Sequence, residues 1–135
     1  MARAAGSVRM EPETLRTIVD RKVSKGDVLE VARLAGIMAA KKTPELIPLC
    51  HSLGLDSVEV DFRVIDERTL GIESKVSVEA RTGVEMEALT AVSVAALTVY
   101  DMCKSMDRGM ALGPFVLVEK SGGKSGHFVR DHHDA

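Results

Sequence analysis

The stretch from Thr82 to Met110 (TGVEMEALTAVSVAALTVYDMCKSMDRGM) limits the fold more than any other part of the chain. It reads as one long helix. Thr82 and Glu85 have the spacing of a capping box, in which the threonine side chain accepts from an amide of the first turn and the glutamate reaches back to the threonine amide. From Ala88 to Tyr100 no position carries a charge. A helix that is apolar on every side must be buried or sandwiched, and an uncharged run of about 13 residues is too short to span a bilayer. Ala88, Ala91, Ser93, Ala95 and Ala96 are small enough to let another backbone approach closely. The expectation is a helix with one face on a sheet and the other on a second protein surface. The protein should then be an oligomer, and a glutamate at Ala95 or Ala96 should break its assembly.

Charge returns at the two ends of this helix. Glu87 lies near its start, and Asp101 and Lys104 near its end. At about 100° per residue, Met86, Glu87, Asp101 and Lys104 fall within a third of the circumference. Asp101 and Lys104 are three apart and can touch. A solvated ion pair is the plain explanation of that pair, but it directly continues a run that has to be buried. The capping box would account for Glu85. Nothing comparable accounts for Glu87.

The chain has 135 residues, 45% of them hydrophobic, and a net charge of −2. That suits a single domain over residues 1–135 with its own core. Aromatic residues make up only 3% and tryptophan is absent. Surfaces that read single-stranded nucleic acid stack bases on aromatics, so this scarcity and the missing positive charge argue against a nucleic-acid partner. Cys50 and Cys103 form no CxxC motif. With no secretory h-region and no transmembrane stretch, reduced thiols in a cytoplasmic protein are expected. His127, His132 and His133 fall in a glycine- and serine-rich tail, from Ser121 on, that composition marks as loose. No zinc-type ligand spacing is present, so no structural metal is expected.

In order, Arg3 to Met10 allows a strand, and Glu11-Pro12-Glu13 opens a short helix to about Val19. Ser24 is the expected N-cap of a second helix, with Asp27 at its third position, running to about Lys41 with an apolar stripe of Val28, Val31, Ala32, Ala35 and Met38. Lys25 in that first turn opposes the helix dipole; it suits either snorkelling into water or an anion site. Thr43-Pro44 stops the helix, and Pro48 fixes a turn before Leu49-Cys50-His51. Val58 to Ile65 and Leu70 to Ala80 alternate as two strands of a hairpin. After the long helix, Gly113-Pro114 leads into a last strand at Phe115–Val118. Lys120 to Gly126 (KSGGKSG) is not a P-loop, because Val118 stands where a glycine is required and no helix follows. Its glycines and lysines can still meet phosphate. The order gives an α+β sandwich, helices on one face of an antiparallel sheet, compatible with a ferredoxin-like arrangement.

KGDVLEVARLAGIMAAKKTPELIPLCH, TGVEMEALTAVSVAALTVYDMCK and KSGGKSG together resemble the cyclic pyranopterin monophosphate synthase family, also called the molybdenum cofactor biosynthesis protein C family. The similarity runs from about Arg3 to Gly126. It implies a ferredoxin-like fold and a hexamer, a trimer of dimers with sites at subunit interfaces. It also implies conversion of 3′,8-cyclo-7,8-dihydro-GTP to cyclic pyranopterin monophosphate with release of pyrophosphate, without a cofactor. Carried over motif by motif, the resemblance makes Asp101 and Lys104 catalytic together with Lys25. It makes Leu49, Cys50, His51, Glu85, Met86, Glu87 and Lys120 substrate-binding. A triphosphate suits Lys25, Lys104 and Lys120, and proton transfers suit Asp101, Lys104, Glu87 and His51. Two departures stand out. The family carries a Leu-Thr-His motif ahead of the first strand where this sequence begins at Met1, and Ser52 follows His51 where relatives often have proline. The rival expectation is a non-catalytic ferredoxin-like module that binds a nucleotide and does not turn it over.

Overall fold

A computed structural model of the chain describes residues 1–51, 54–79, 82–124 and 126–131. Strand β1 (Ala2–Arg9) is followed by helices α1 (Pro12–Val19), α2 (Val28–Lys41) and the single turn α3 (Thr43–Leu46). The hairpin of β2 (Ser57–Asp66) and β3 (Thr69–Ser77) comes next, then the long helix α4 (Glu85–Cys103) and the short strands β4 (Ala111–Leu112), β5 (Val116–Lys120) and β6 (Phe128–Val129). The strands form one antiparallel sheet in the order β2-β3-β1-β5-β6, with β4 also paired to β1. Helix α4 lies across β1 and β3, and α2 packs against α4 and reaches β2. This is the expected α+β sandwich with a ferredoxin-like layering. On the other face of the sheet Arg3 bridges Glu73 and Glu119 at 3.2 Å each.

Central strand β1 is weakly patterned in sequence for a physical reason. Ala2, Ala4 and Val8 face the helix layer, while Ala5 packs with Val118 on the opposite side, so almost every position is buried and no polar alternation survives. The hairpin, buried on one face only, keeps its alternation and was legible.

Four expectations need correction. Among the described residues no side chain caps the start of α4: the helix starts at Glu85 itself, behind Val84, so Thr82 and Glu85 form no capping box. The cap of α2 is Asp27, whose carboxylate accepts from the Glu30 amide at 3.3 Å, and not Ser24. Lys25 therefore precedes the helix. The stripe of α2 is rotated from the expected one: Gly36, Ala39 and Ala40 are buried, while Val31, Leu34 and Met38 are 42%, 58% and 47% exposed. Finally, the second surface on α4 is α2 of the same chain. A Cβ on Gly36 would lie 2.9 Å from the Ala91 carbonyl oxygen and 3.4 Å from the Ala95 Cβ, so the two helices cross almost backbone to backbone.

Ala95 and Ala96 are fully buried within the chain, so a glutamate there attacks the fold before it can test assembly. An unpaired buried carboxylate costs several kcal/mol, and Ala95→Glu should give a molten or insoluble chain. Gly36→Ala is the graded version. It pushes a methyl against a backbone oxygen and should lower stability by about 1–3 kcal/mol, read as a shift of the urea midpoint with unchanged slope.

Helix α4, with 19 residues, is long and apolar enough by composition to cross a bilayer, which the shorter uncharged run had not suggested. In the fold 56% of that window is buried, between the sheet and α2. The tail also differs from the composition-based reading. Phe128 and Val129 pair with Lys120 and Glu119 as a further strand at the sheet edge, and His127 meets Glu119 at 3.2 Å. His132, His133 and Ser52 lie outside the described residues.

Candidate active site

The start of α4 faces the loop that follows α3, and between them lies a cavity of about 250 Å³. Leu49, Cys50 and His51 line it from the loop, and Glu85, Met86 and Glu87 from the first turn of the helix. Two segments more than thirty residues apart thus meet, and six expected binding residues share one pocket. Ile47, Pro48, Thr82 and Gly83 complete the lining. The sequence assigns these four no binding role; Pro48 and Thr82 carry only turn and cap signals.

The chemistry of this pocket is set by burial. Glu87 is only 3% exposed, and its Oε2 accepts from the Cys50 thiol at 3.9 Å. Burial pushes its carboxyl above the usual range, opposed by its own backbone N–H and the thiol and reinforced by Glu85. The Cys50 thiol is pushed up too, by burial and by Glu87, so it remains a protonated donor. The Oε1 of Glu85 is buried with no hydrogen-bond partner among the described residues and sits against Gly83, where any Cβ would come within 2.0 Å of it. An unsatisfied buried acceptor costs about 1–3 kcal/mol, which a donor from a ligand would relieve. Leu49 is fully exposed and holds a left-handed backbone, φ +63°. That conformation is costly for a branched bulky residue, and such strain collects at ligand sites.

Burial makes Glu87 report on pH. A carboxyl whose pKa is higher in the folded chain than in the unfolded one favours folding while protonated. That contribution is complete below the unfolded value and is lost as pH rises through the folded one. Glu87→Gln removes the loss. The variant's melting temperature should gain on the parent's as pH rises above about 4, an ordinary glutamate's pKa.

The opposite end of α4 holds a second cluster. Lys104, the C-cap, meets the Asp101 carboxylate at 3.0 Å, and the Lys25 ammonium donates to the Asp101 carbonyl oxygen at 3.3 Å. The hydrogen bond and charge of Lys104, followed by the charge of Lys25, hold the Asp101 carboxyl below its usual range. The connecting loop is fixed by a residue that sequence reasoning passed over. Asp107 accepts from the Glu11 amide at 2.9 Å and the Thr14 hydroxyl at 3.0 Å, tying the end of α4 to the start of α1. Its only sequence signal is that Glu11, at the N-cap position of α1, cannot cap itself.

Lys120 does not join Lys25 and Lys104 as the triphosphate reading expected. It is 4% exposed and donates to the Gly122 carbonyl at 3.0 Å. Gly123 beside it nearly touches Gly83: an added Cβ would be 3.1 Å from the Gly83 nitrogen and 3.6 Å from the Lys120 ammonium. Lys120 therefore belongs with the start of α4. Among the described residues, no group of three or more His, Cys, Asp or Glu side chains could hold a metal ion.

The ligand-sized cleft at the start of α4 holds a carboxyl whose burial favours its protonated form, and the cluster at the opposite end of the helix holds one kept ionised beside lysines; such a pair is suited to moving protons on a small molecule. The comparisons agree. The sequence profile of the MoaC family matches residues 1–123. A protein of Magnetococcus marinus named cyclic pyranopterin monophosphate synthase is 60% identical over 99% of this chain and 83% of its own length. Proteins with the same name from Heliobacterium modesticaldum and Thermomicrobium roseum are 59% and 57% identical, over 95% and 100% of this chain and 81% and 82% of theirs. The chain belongs to the MoaC family.

Proposed function

We propose that the protein converts 3′,8-cyclo-7,8-dihydro-GTP to cyclic pyranopterin monophosphate with release of pyrophosphate, an early step of molybdenum cofactor biosynthesis in the cytoplasm. The observation that carries this reading is the convergence of Leu49-Cys50-His51 and Glu85-Met86-Glu87 on one cavity, in a chain 60% identical to a protein named for that reaction. Closing a cyclic phosphate with loss of pyrophosphate requires a hydroxyl to attack the α-phosphorus, a base to take its proton and cations to neutralise the leaving group. Asp101, held ionised by Lys104 and Lys25, suits the base, and the two lysines suit the leaving pyrophosphate. Glu87, whose burial favours the protonated form, suits an acid for the rearrangement of the ring system. His51, exposed on the pocket rim, serves as a second proton carrier, and Lys120 neutralises phosphate at the start of α4.

The two clusters are read as halves of different sites. Glu87 and Lys104 sit seventeen residues apart on α4, about 25 Å along the axis at roughly 1.5 Å per residue, which exceeds the length of the nucleotide. A two-fold pair of α4 helices running antiparallel would bring the start of one beside the end of the other. The exposed apolar side chains of the helix layer, Val31, Leu34 and Met38 on α2 and Leu97 on α4, support burial against a second copy. We read the assembly as a hexamer, a trimer of such dimers. The deciding experiment is pyrophosphate release from the purified cyclised nucleotide. Binding without turnover would make the chain a nucleotide-binding module instead.

A further inference from the structure

We propose that Cys50 is a positioning residue: its thiol latches the loop after α3 to the buried Glu87 carboxyl and so sets where that carboxyl points in the pocket. The inference rests on the reading that this pocket takes the substrate. A carboxyl as buried as Glu87 needs donors to hold it in one orientation. Its own backbone N–H supplies one. The side chain that reaches Oε2 is the Cys50 thiol, at 3.9 Å, from a loop with no regular structure between Ile47 and His51.

The same thiol lies 3.8 Å from the His51 carbonyl oxygen. It has one proton for two acceptors. With Glu87 ionised, the proton goes to the carboxylate and the loop is drawn onto α4. With Glu87 protonated, the carboxyl is a poorer acceptor and the thiol turns to the His51 carbonyl. Each proton exchanged by Glu87 is thereby sensed by the backbone that carries His51. Among the described residues, the other groups around Glu87 do not replace this contact. Glu85, on the same turn, repels its charge. His51 is exposed at the rim. The buried residues Ala2, Ala4, Ser74 and Val76 of the sheet, and Gly36, Ala39 and Ala40 of α2, carry no charge.

The test compares Cys50→Ala with Cys50→Ser by two readouts. The first is the titration of the Glu87 carboxyl, followed by carbon NMR in protein labelled at glutamate and assigned with Glu87→Gln. The second is the pH profile of kcat/KM. A hydroxyl is a shorter and stronger donor than a thiol, so Ser should move the Glu87 midpoint down and Ala should move it up. The corresponding limb of the pH profile should follow. Ala should also lose about tenfold in kcat with KM little changed, and Ser should restore most of it, since a hydrogen bond to a charged group is typically worth about a factor of ten or more. A Glu87 midpoint unmoved in Ala, or moved in the same direction by both variants, overturns the proposal. If Ala does not fold, an unmoved or raised midpoint in Ser overturns it alone. Absence of turnover in the parent would refute the proposed reaction, while the carboxyl titration would still decide the Cys50–Glu87 contact.

Discussion

Asp101→Ala and Lys104→Ala should each cut pyrophosphate release by about 10²- to 10⁴-fold, the range supplied by a positioned acid or base, with the melting temperature unchanged. The two expectations separate chemistry from stability. Asp101 and Lys104 pair at 3.0 Å with side chains 61% and 47% exposed. Exposed pairs of this kind contribute little to folding, and truncation at the end of α4 opens no core cavity. A residue there with no catalytic task would leave both readouts flat. Asp101→Asn sharpens the result, since it keeps the shape and removes the charge. The lysines hold the Asp101 carboxyl low, so Lys104→Ala should also raise the acid limb of whatever activity survives. Near-normal release by either alanine variant would refute the acid–base assignment.

The sequence made the functional segments legible more readily than their arrangement. The resemblance joins Leu49-Cys50-His51 and Glu85-Met86-Glu87 as substrate-binding residues, yet the way they meet in one pocket depends on the turn at Pro48 and on how α3 delivers the loop to α4, which no local pattern encodes. The charged residues at the ends of α4 were visible because they interrupt an apolar run. The same uniformity of that run hid which side faces what: Ala88, Ala91, Ala95 and Ala96 suit a helix as well as a subunit, and only the bare backbone of Gly36 decides for α2. The caps failed for a related reason. Thr82 and Ser24 have good capping chemistry, but tertiary contacts start α4 at Glu85 and α2 after Asp27, which frees Glu85 to turn its carboxyl over Gly83 and Lys25 to reach Asp101. The resemblance put Lys120 among the substrate-binding residues and the charge argument grouped it with Lys25 and Lys104; within one chain the fold places it at the other end of the helix, beside Gly83.

That separation leads to the second large effect, complementation between inactive variants. Glu87→Ala and Lys104→Ala should each be inactive. Co-expressed and allowed to pair at random, they should recover about a quarter of parental activity: about half the dimers are mixed, and a mixed dimer has one site carrying both defects and one carrying neither. The expectation follows from α4 being one uninterrupted helix from Glu85 to Cys103. Glu87 lies in the pocket at its start and Lys104 caps its end, so the axial distance of about 25 Å is fixed by helix geometry and does not depend on side-chain rotamers. A single chain can bring both residues to one nucleotide only by breaking the helix, whose middle is buried between the sheet and α2 and cannot bend without opening the core. Two chains related by a two-fold axis meet the requirement at no such cost, and they do it twice. Glu87→Ala paired with Cys50→Ala supplies the control. Both defects fall in the same half-site, so the mixed dimer has one half-site from each variant and no intact Glu87–Cys50 pocket beyond what the Cys50 variant retains. Its activity should not exceed that of the Cys50→Ala parent. Recovery in the first mixture without excess in the second would establish that each site is shared. A first mixture as inactive as its parents, with subunit exchange demonstrated by mass spectrometry, would place Glu87 and Lys104 in separate functions within one chain.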